Sequence, residues 1–450
     1  MLISLKQALR VTNSACVAFI GAGGKTTTLF QLAREMAKET PVIVSASSHL
    51  GAWQTALADQ HITALSTDDL HDLENNLSDV TLITGDFVSG RTTPLEADML
   101  DWLNAFCKRH TLPLLIEADG SRQKPLKAWA EHEPPIPTFV DQVVQVVGLT
   151  GIGKPLSDSV VHRAEIFARL SSLKMDEAIT PDALLQVITH KEGGLKNIPP
   201  NARKCILLNQ ADTAELQSIA HGITKPLLSN YHSVIVSSLA QESVFAVHEA
   251  IAGIILAAGG STRFGKPKQL LDWKGQPFVR AVAQTALEAG LAPVVVVTGA
   301  NSEQVEAAVK DLNVVIVKND EWQSGQGSSI KAGINALTSA HLPLGDGIGG
   351  AIFLLADQPQ ITTSIIQALV EKHAEGLYPI IAPLVLDQRA NPALFDRVTF
   401  DDLMNIAGDV GGRAIFHKYH VEYLPWHDDR MLLDVDTPEH YQRLISDETL

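Results

Sequence analysis

Two glycine-rich stretches carry the residues whose types and spacing point most directly to chemistry: FIGAGGKTTT at residues 19–28 and LAAGGSTRFGKPKQLL at residues 256–271. Glycines let a backbone approach a ligand closely and aim amide N–H groups at phosphate oxygens. No Gly-Lys-Ser/Thr triplet ends the second stretch. Arg263, Lys266 and Lys268 follow instead, and Pro267 interrupts any immediate helix. A triphosphate gripped by loop amides together with Arg263 and Lys268 keeps its α-phosphorus open to attack while the departing pyrophosphate stays neutralised. Such a loop suits nucleotidyl transfer better than γ-phosphoryl transfer. AIFLLADQP ends an apolar run with Asp357, and LLDVDTPE brings Asp434 and Asp436 close together. Carboxylates at strand ends suit Mg2+, a hard cation that bridges substrate phosphates, so Asp357 and one of the last two are expected to bind it.

The first stretch places Lys25 and Thr26 where a phosphate-binding loop needs them, between an apolar strand and a helix, with Gly21, Gly23 and Gly24 as the close-approach positions. Only Ala22 and Gly23 separate Gly21 from Gly24-Lys25, so the loop is two residues shorter than the usual pattern. In LPLLIEADGSR, Asp119 sits at a strand end as a magnesium-side acid would. In CILLNQAD, Asn209 and Asp212 have the spacing of the Asn-Lys-x-Asp guanine reader, with Gln210 replacing the lysine; a strand-end turn accounts for the pair equally well. His132, Glu133, His162, Arg163 and Glu165 read as ligands or as solvated loop and helix residues, and no histidine pair has zinc-site spacing.

These residues need elements to position them. β-branched runs alternate with helical stretches from CVAFI to HSVIVSSL, and a second series starts with GIILAAGG and passes through PVVVVTG, VVIVKN, AIFLLADQP and YPIIAPLV. Alternation of this kind predicts parallel sheets with helices on both faces. The expected fold class is α/β with two domains, residues 1–248 and 249–450, the boundary lying between about Ser237 and Ala252. With 450 residues, 45% hydrophobic and 19% charged, the chain has the composition of a folded globular protein. A net charge of -16 without a dense basic cluster speaks against nucleic-acid and anionic-membrane partners. Three dispersed cysteines, no leader-like N-terminus and no bilayer-length apolar run lead us to expect a cytoplasmic protein.

LAAGGSTRFGKPKQLL, LLADQP, NPALF, GDVGGR and DVDTPE together resemble the molybdenum cofactor cytidylyltransferases over about residues 252–445. The resemblance implies a Rossmann-like, GT-A-like nucleotidyltransferase domain in which the terminal phosphate of molybdenum-molybdopterin attacks the α-phosphate of CTP. The products are molybdopterin cytosine dinucleotide and pyrophosphate. By position, Ala257, Ala258, Gly259 and Gly260 would hold the nucleotide, Arg263, Lys268 and Asp357 would be catalytic, and Asp357 with Asp436 would bind magnesium. The Leu256-Ala257-Ala258-Gly259 opening favours the cytidylyl side over the related guanylyltransferases, which show Leu-Ala-Gly-Gly. Asn391, Pro392, Asp409 and Arg413 resemble the acceptor-facing part, although Asn-Pro and Gly-Asp are also ordinary turn chemistry. Ser328 and Ser329 in QGSSIKAG either meet an anion at a helix N-terminus or cap that helix.

GAGGKTT, EADGSRQKPLKAWAEHEPPIP, GKPL, VHRAE and NQAD resemble the accessory proteins of selenium-dependent molybdenum hydroxylases over residues 1 to about 245. This implies a P-loop NTPase-like domain that binds ATP or GTP, and a recipient molybdenum hydroxylase of the xanthine dehydrogenase kind. Two rival readings stand beside it: a cytidylyltransferase for a sugar or polyol phosphate, since the loop reads the triphosphate and not the acceptor, and a non-catalytic carrier or chaperone of the molybdenum cofactor.

Overall fold

CVAFIG is buried at every position and forms β1 (Cys16–Gly21), a strand that needs cover on both faces. The computed structural model describes residues 3–260, 264, 266–338 and 347–446. The chain divides into two compact units, Met1–His248 and Glu249–Leu450.

In the N-terminal unit, β1 is joined by β2 (Val42–Ala46), β3 (Gln60–Thr63), β4 (Val80–Thr84), β5 (Leu114–Glu117), β6 (Gln142–Gly148), β7 (Arg203–Asn209) and β8 (Ser233–Ser238). Their order is β8-β7-β6-β1-β5-β2-β4-β3, and each of these pairings is parallel. With β5 and β6 flanking β1, the carboxyl ends of the three strands lie side by side, the place where parallel sheets receive ligands; Glu117 lines the crevice there, whereas Gly21 and Gly148 are absent from its lining. α1 (Lys25–Met36) starts directly after the glycine loop. Its cap, Gly24, makes no side-chain hydrogen bond, so the first-turn amides lack a side-chain acceptor there. Glycine is required at position 23: φ is +83°, and a Cβ would sit 2.4 Å from Gly148 Cα. On one face Cys16, Ala18 and Ile20 pack against Met99, Leu103 and Phe106 of α2 (Ala97–His110). Ile206, Leu208 and Val234 pack against Phe167 of helix Ala164–Ser171 and Ala220 of helix Ala214–Leu228.

In the C-terminal unit the strands are β9 (Ser243–Ala257), β10 (Val294–Thr298), β11 (Val315–Lys318), β12 (Ile348–Leu355), β13 (Ile380–Val385), β14 (Ala393–Asp396) and β15 (Val421–Pro425). The division between units falls inside β9. The order is β11-β10-β9-β12-β14-β13-β15. β10, β9 and β12 run parallel and end together beneath the Ala257–Gly260 loop. Ile255 and Ala257 face α3 (Phe278–Glu288) and α5 (Thr363–Gly376), while Ile254 and Ala258 face α4 (Gln326–Thr338).

A wholly parallel C-terminal sheet is not what forms. β14, inside the NPALF segment, pairs antiparallel to both β12 and β13. Leu386 and Asp387 adopt left-handed φ values of 48° and 60°, reversing the chain tightly after β13, so no crossover helix precedes the return strand. Among the described residues, no helix is long and apolar enough to cross a membrane.

Candidate functional site

The C-terminal cleft has a volume of about 780 Å³ and opens at the ends of β9 and β12. Ala257, Ala258, Gly259 and Gly260 form its floor. Buried Gln269 holds that floor from behind, donating to Gly259 O at 3.0 Å. Lys268 lies in a short 3-10 turn after Pro267 and reaches into the cleft. Its Nζ is 2.5 Å from Asp436 Oδ1 and 3.8 Å from Asp357 Oδ2. Burial pushes the Asp357 carboxyl above its ordinary value; Lys268 opposes this, and Asp434 and Asp436 add to it. Two carboxylates thus share one ammonium, a local excess of negative charge that a divalent cation would relieve.

Among the described residues no group of three or more His, Cys, Asp or Glu side chains is placed to hold a metal ion. Asp357 and Asp436 are the two carboxylates flanking Lys268 in the cleft; a magnesium ion held by them would draw its remaining ligands from substrate phosphates and water. Asp434 is turned to a different task, accepting from Gln358 Nε2 at 2.8 Å.

The opposite wall is Trp322–Gln326, Ser329 and Asp409. Gly325 lets two segments meet there: its φ is +108°, and a Cβ would lie 2.4 Å from the carbonyl carbon of Gly408. Ser328 is absent from the cleft lining; its hydroxyl donates to Gly325 O at 2.8 Å and accepts from Asn319 Nδ2 at 2.8 Å, which ties the helix start to the preceding loop and is neither anion binding nor an N-cap. Of the expected acceptor-side residues, Asp409 lines the cleft, whereas Ser328, Asn391, Pro392 and Arg413 are absent from its lining. Arg263 lies outside the described residues. Ser329, the neighbour of Ser328 in QGSSIKAG, does line the cleft, whereas Trp322, Gln323 and Ser324 are lining residues that chemical type alone does not single out in the sequence. The available signal was position, since NDEWQSG follows the carboxyl end of β11.

The N-terminal crevice, about 330 Å³, is lined by Gly23, Gly24, Lys25 and Thr26, with Arg91, Arg122 and Lys124 around it and Glu117 as its acid. Lys25 is buried; its Nζ donates to Gly21 O at 2.7 Å and lies 3.2 Å from Asp119. Asp119 sits beneath the loop and does not line the crevice. It accepts from Gly21 N and from Trp129 Nε1 (2.7 Å) and pairs with Lys127 at 3.1 Å. The acid facing the crevice is Glu117, which accepts from Thr26 Oγ1 at 2.8 Å. Burial pushes its carboxyl up, opposed by Lys25 and the Thr26 hydrogen bond.

From Lys127 an ion-pair chain continues outward to Glu133 (3.2 Å) and Arg163 (2.8 Å). Burial would raise the Glu133 carboxyl, but Arg163 and Lys127 together hold it down at about 2. Burial, then the same two cations, lowers His162 to about 4, so it is neutral at physiological pH. Asn209 and Asp212 do not line the crevice. Asn209 donates to Gly23 O at 2.8 Å and accepts from Leu239 N at 3.0 Å, while Asp212 accepts from the Ser238 hydroxyl.

A sheet of this order, with a glycine loop at a central strand end and a lysine between two carboxylates in the same cleft, is the arrangement of a nucleotidyltransferase domain. The chain belongs to the MobA-like NTP transferase family through residues 253–423, and residues 17–165 match the YqeC protein family. It is 32% identical to nicotine blue oxidoreductase of Paenarthrobacter nicotinovorans over 43% of this chain and 96% of that protein. It is 28% identical to the uncharacterized protein YqeC of Escherichia coli K12 over 47% of this chain and 82% of that one. With purine catabolism protein PucB of Bacillus subtilis 168 the identity is 29% over 42% and 94% of the two chains.

Proposed function

We propose that the chain transfers CMP from CTP to molybdenum-molybdopterin, forming molybdopterin cytosine dinucleotide and pyrophosphate, while its N-terminal unit binds ATP or GTP during maturation of a molybdenum hydroxylase. The observation carrying this reading is Lys268 standing between Asp357 and Asp436 beside the Ala257–Gly260 loop. The nucleophile is a phosphate monoester, already ionised near neutral pH, so no strong base is needed. A bond forms from its oxygen to the α-phosphorus of CTP as the bond to the β-phosphate oxygen breaks, and pyrophosphate leaves with the electron pair. Repulsion between the two anions is what the site must offset, and Lys268 and the loop amides are placed to do so. Asp357 and Asp436 would hold magnesium, which when bound supplies neutralisation of the triphosphate charge.

The acceptor is supported by the joint resemblance of both halves to proteins of molybdenum cofactor handling, and the purine-catabolism name of the Bacillus relative fits a xanthine dehydrogenase-like recipient. The test incubates the protein with magnesium, molybdenum-molybdopterin and α-labelled CTP or GTP. Expected is label in a dinucleotide, with pyrophosphate release, from CTP and not from GTP. Label transferred only to a sugar or polyol phosphate would replace the acceptor. Cofactor binding without pyrophosphate release would leave a carrier.

A further inference from the structure

Along α1 the N-terminal unit carries a second cavity, about 680 Å³, whose lining combines apolar residues, among them Phe30, Leu57, Leu239 and Val244, with charged ones, Arg34, Glu35, Lys38 and Glu242. Thr26, Thr27 and Trp53 line both this groove and the glycine-loop crevice, so the two spaces share one wall. Their linings are complementary. The crevice is bordered by Arg91, Arg122, Lys124 and the glycine-loop backbone, and Trp53 is the one aromatic ring other than a histidine in its described lining; the groove offers apolar surface from Phe30, Leu57, Leu239 and Val244 on which a heteroaromatic ring can pack. Trp53 is 61% exposed on a short 3-10 turn, Ala52–Leu57, an unusual position for so large a ring. That turn is tied to the phosphate loop, because Gln54 Nε2 donates to Thr26 Oγ1 at 2.7 Å. A second tie sets the spacing from the other side. Buried Asn209 brackets Gly23 O of the loop and Leu239 N of the groove wall.

We propose that this groove receives the nucleoside of a nucleoside triphosphate whose phosphates occupy the glycine-loop crevice, with Trp53 as the platform for the base. The inference rests on the reading of the N-terminal unit as a nucleotide-binding domain. Asn209 then acts as a positioning residue that spaces loop and groove, and neither it nor Asp212, engaged with Ser238, reads the base edge. An inorganic polyanion, which has no base, would use the crevice alone and leave the groove along α1 empty.

The test photolabels the full-length protein with 8-azidoadenosine and 8-azidoguanosine triphosphates and maps the labelled peptides. It then repeats the labelling with Trp53→Ala, an exposed position whose loss spares the core. Label is expected on peptides carrying Phe30, Trp53–Leu57 or Leu239. Trp53→Ala is expected to weaken nucleotide binding about tenfold more than binding of inorganic tripolyphosphate, the scale of one lost base stack. Label on the Asn209–Asp212 peptide, or equal weakening of nucleotide and tripolyphosphate, would overturn the inference while leaving nucleotide binding in place. Label confined to peptides of residues 249–450 would take down the nucleotide-binding reading and the inference with it.

Discussion

Asp357 combines the properties a metal-side carboxylate needs, partial burial and a neighbouring ammonium that does not fully neutralise it. Replacing it with asparagine removes a partly buried charge without removing volume, so the fold should survive with little change in melting temperature. Transfer should drop by at least about 10²-fold, because electrostatic stabilisation at the triphosphate is lost; a well-folded Asp357→Asn protein with most of its turnover would show that the metal lies elsewhere. Glu133 makes the pH-dependent contribution in the other unit. Its carboxyl is depressed from 4.5 to about 2 in the folded chain, so the pair with Arg163 and Lys127 stabilises fully above the ordinary value and is lost as pH falls toward 2. Urea midpoints should therefore decline across that window, and Glu133→Gln should flatten the decline while lowering stability at neutral pH.

At the scale of elements, the C-terminal cleft depends on a contact between α4's leading turn and the Gly408–Asp409 loop. Gly327 N donates to Gly408 O at 3.1 Å, and Gly325 leaves no room for a side chain. Gly325→Val forces the loop away and strains a backbone at φ +108°, a cost of roughly 1–3 kcal/mol. Because Asp409 moves with that loop, kcat/KM should fall on the order of 10²-fold while circular dichroism retains the α/β signature. Unchanged kinetics in a folded Gly325→Val protein would show that this wall does not contact substrate.

At the scale of the whole molecule, the two glycine loops belong to different compact units and different chemistries. Lys25→Ala should abolish nucleotide binding by the N-terminal unit, measured by the same photolabel, and leave C-terminal CMP transfer unchanged. Loss of transfer in that variant would mean that nucleotide occupancy of the first unit controls the second, a coupling free energy that neither loop by itself predicts. Intact N-terminal labelling in Lys25→Ala would remove the lysine from the phosphate site.

Strand and helix alternation, the two glycine loops and the carboxylates at strand ends were legible in the sequence, because each is a local pattern with a local cause: β-branched burial, close backbone approach, and a side chain at the end of an apolar run. Gly259, Gly260, Lys268, Asp357 and one of Asp434 and Asp436 could be read as one site in this way, the resemblance added Ala257, Ala258 and the choice of Asp436, and the structure brings them to one cleft. What tertiary structure alone decided concerns direction and partnership. Glu117 and Asp119 stand two residues apart in LIEADG, yet only Glu117 faces the crevice, because Asp119 is drawn under the loop by Gly21 N, Lys25, Lys127 and Trp129. Asp436 rather than Asp434 meets Lys268 because Gln358 takes Asp434. Asn209 and Asp212 keep the spacing of a base reader but are used up by Gly23, Leu239 and Ser238, and exposed Trp53 acquires a place only once its turn is hydrogen-bonded to Thr26. A hydrogen bond between residues distant in the chain leaves no periodicity behind, so such assignments come from packing and not from pattern.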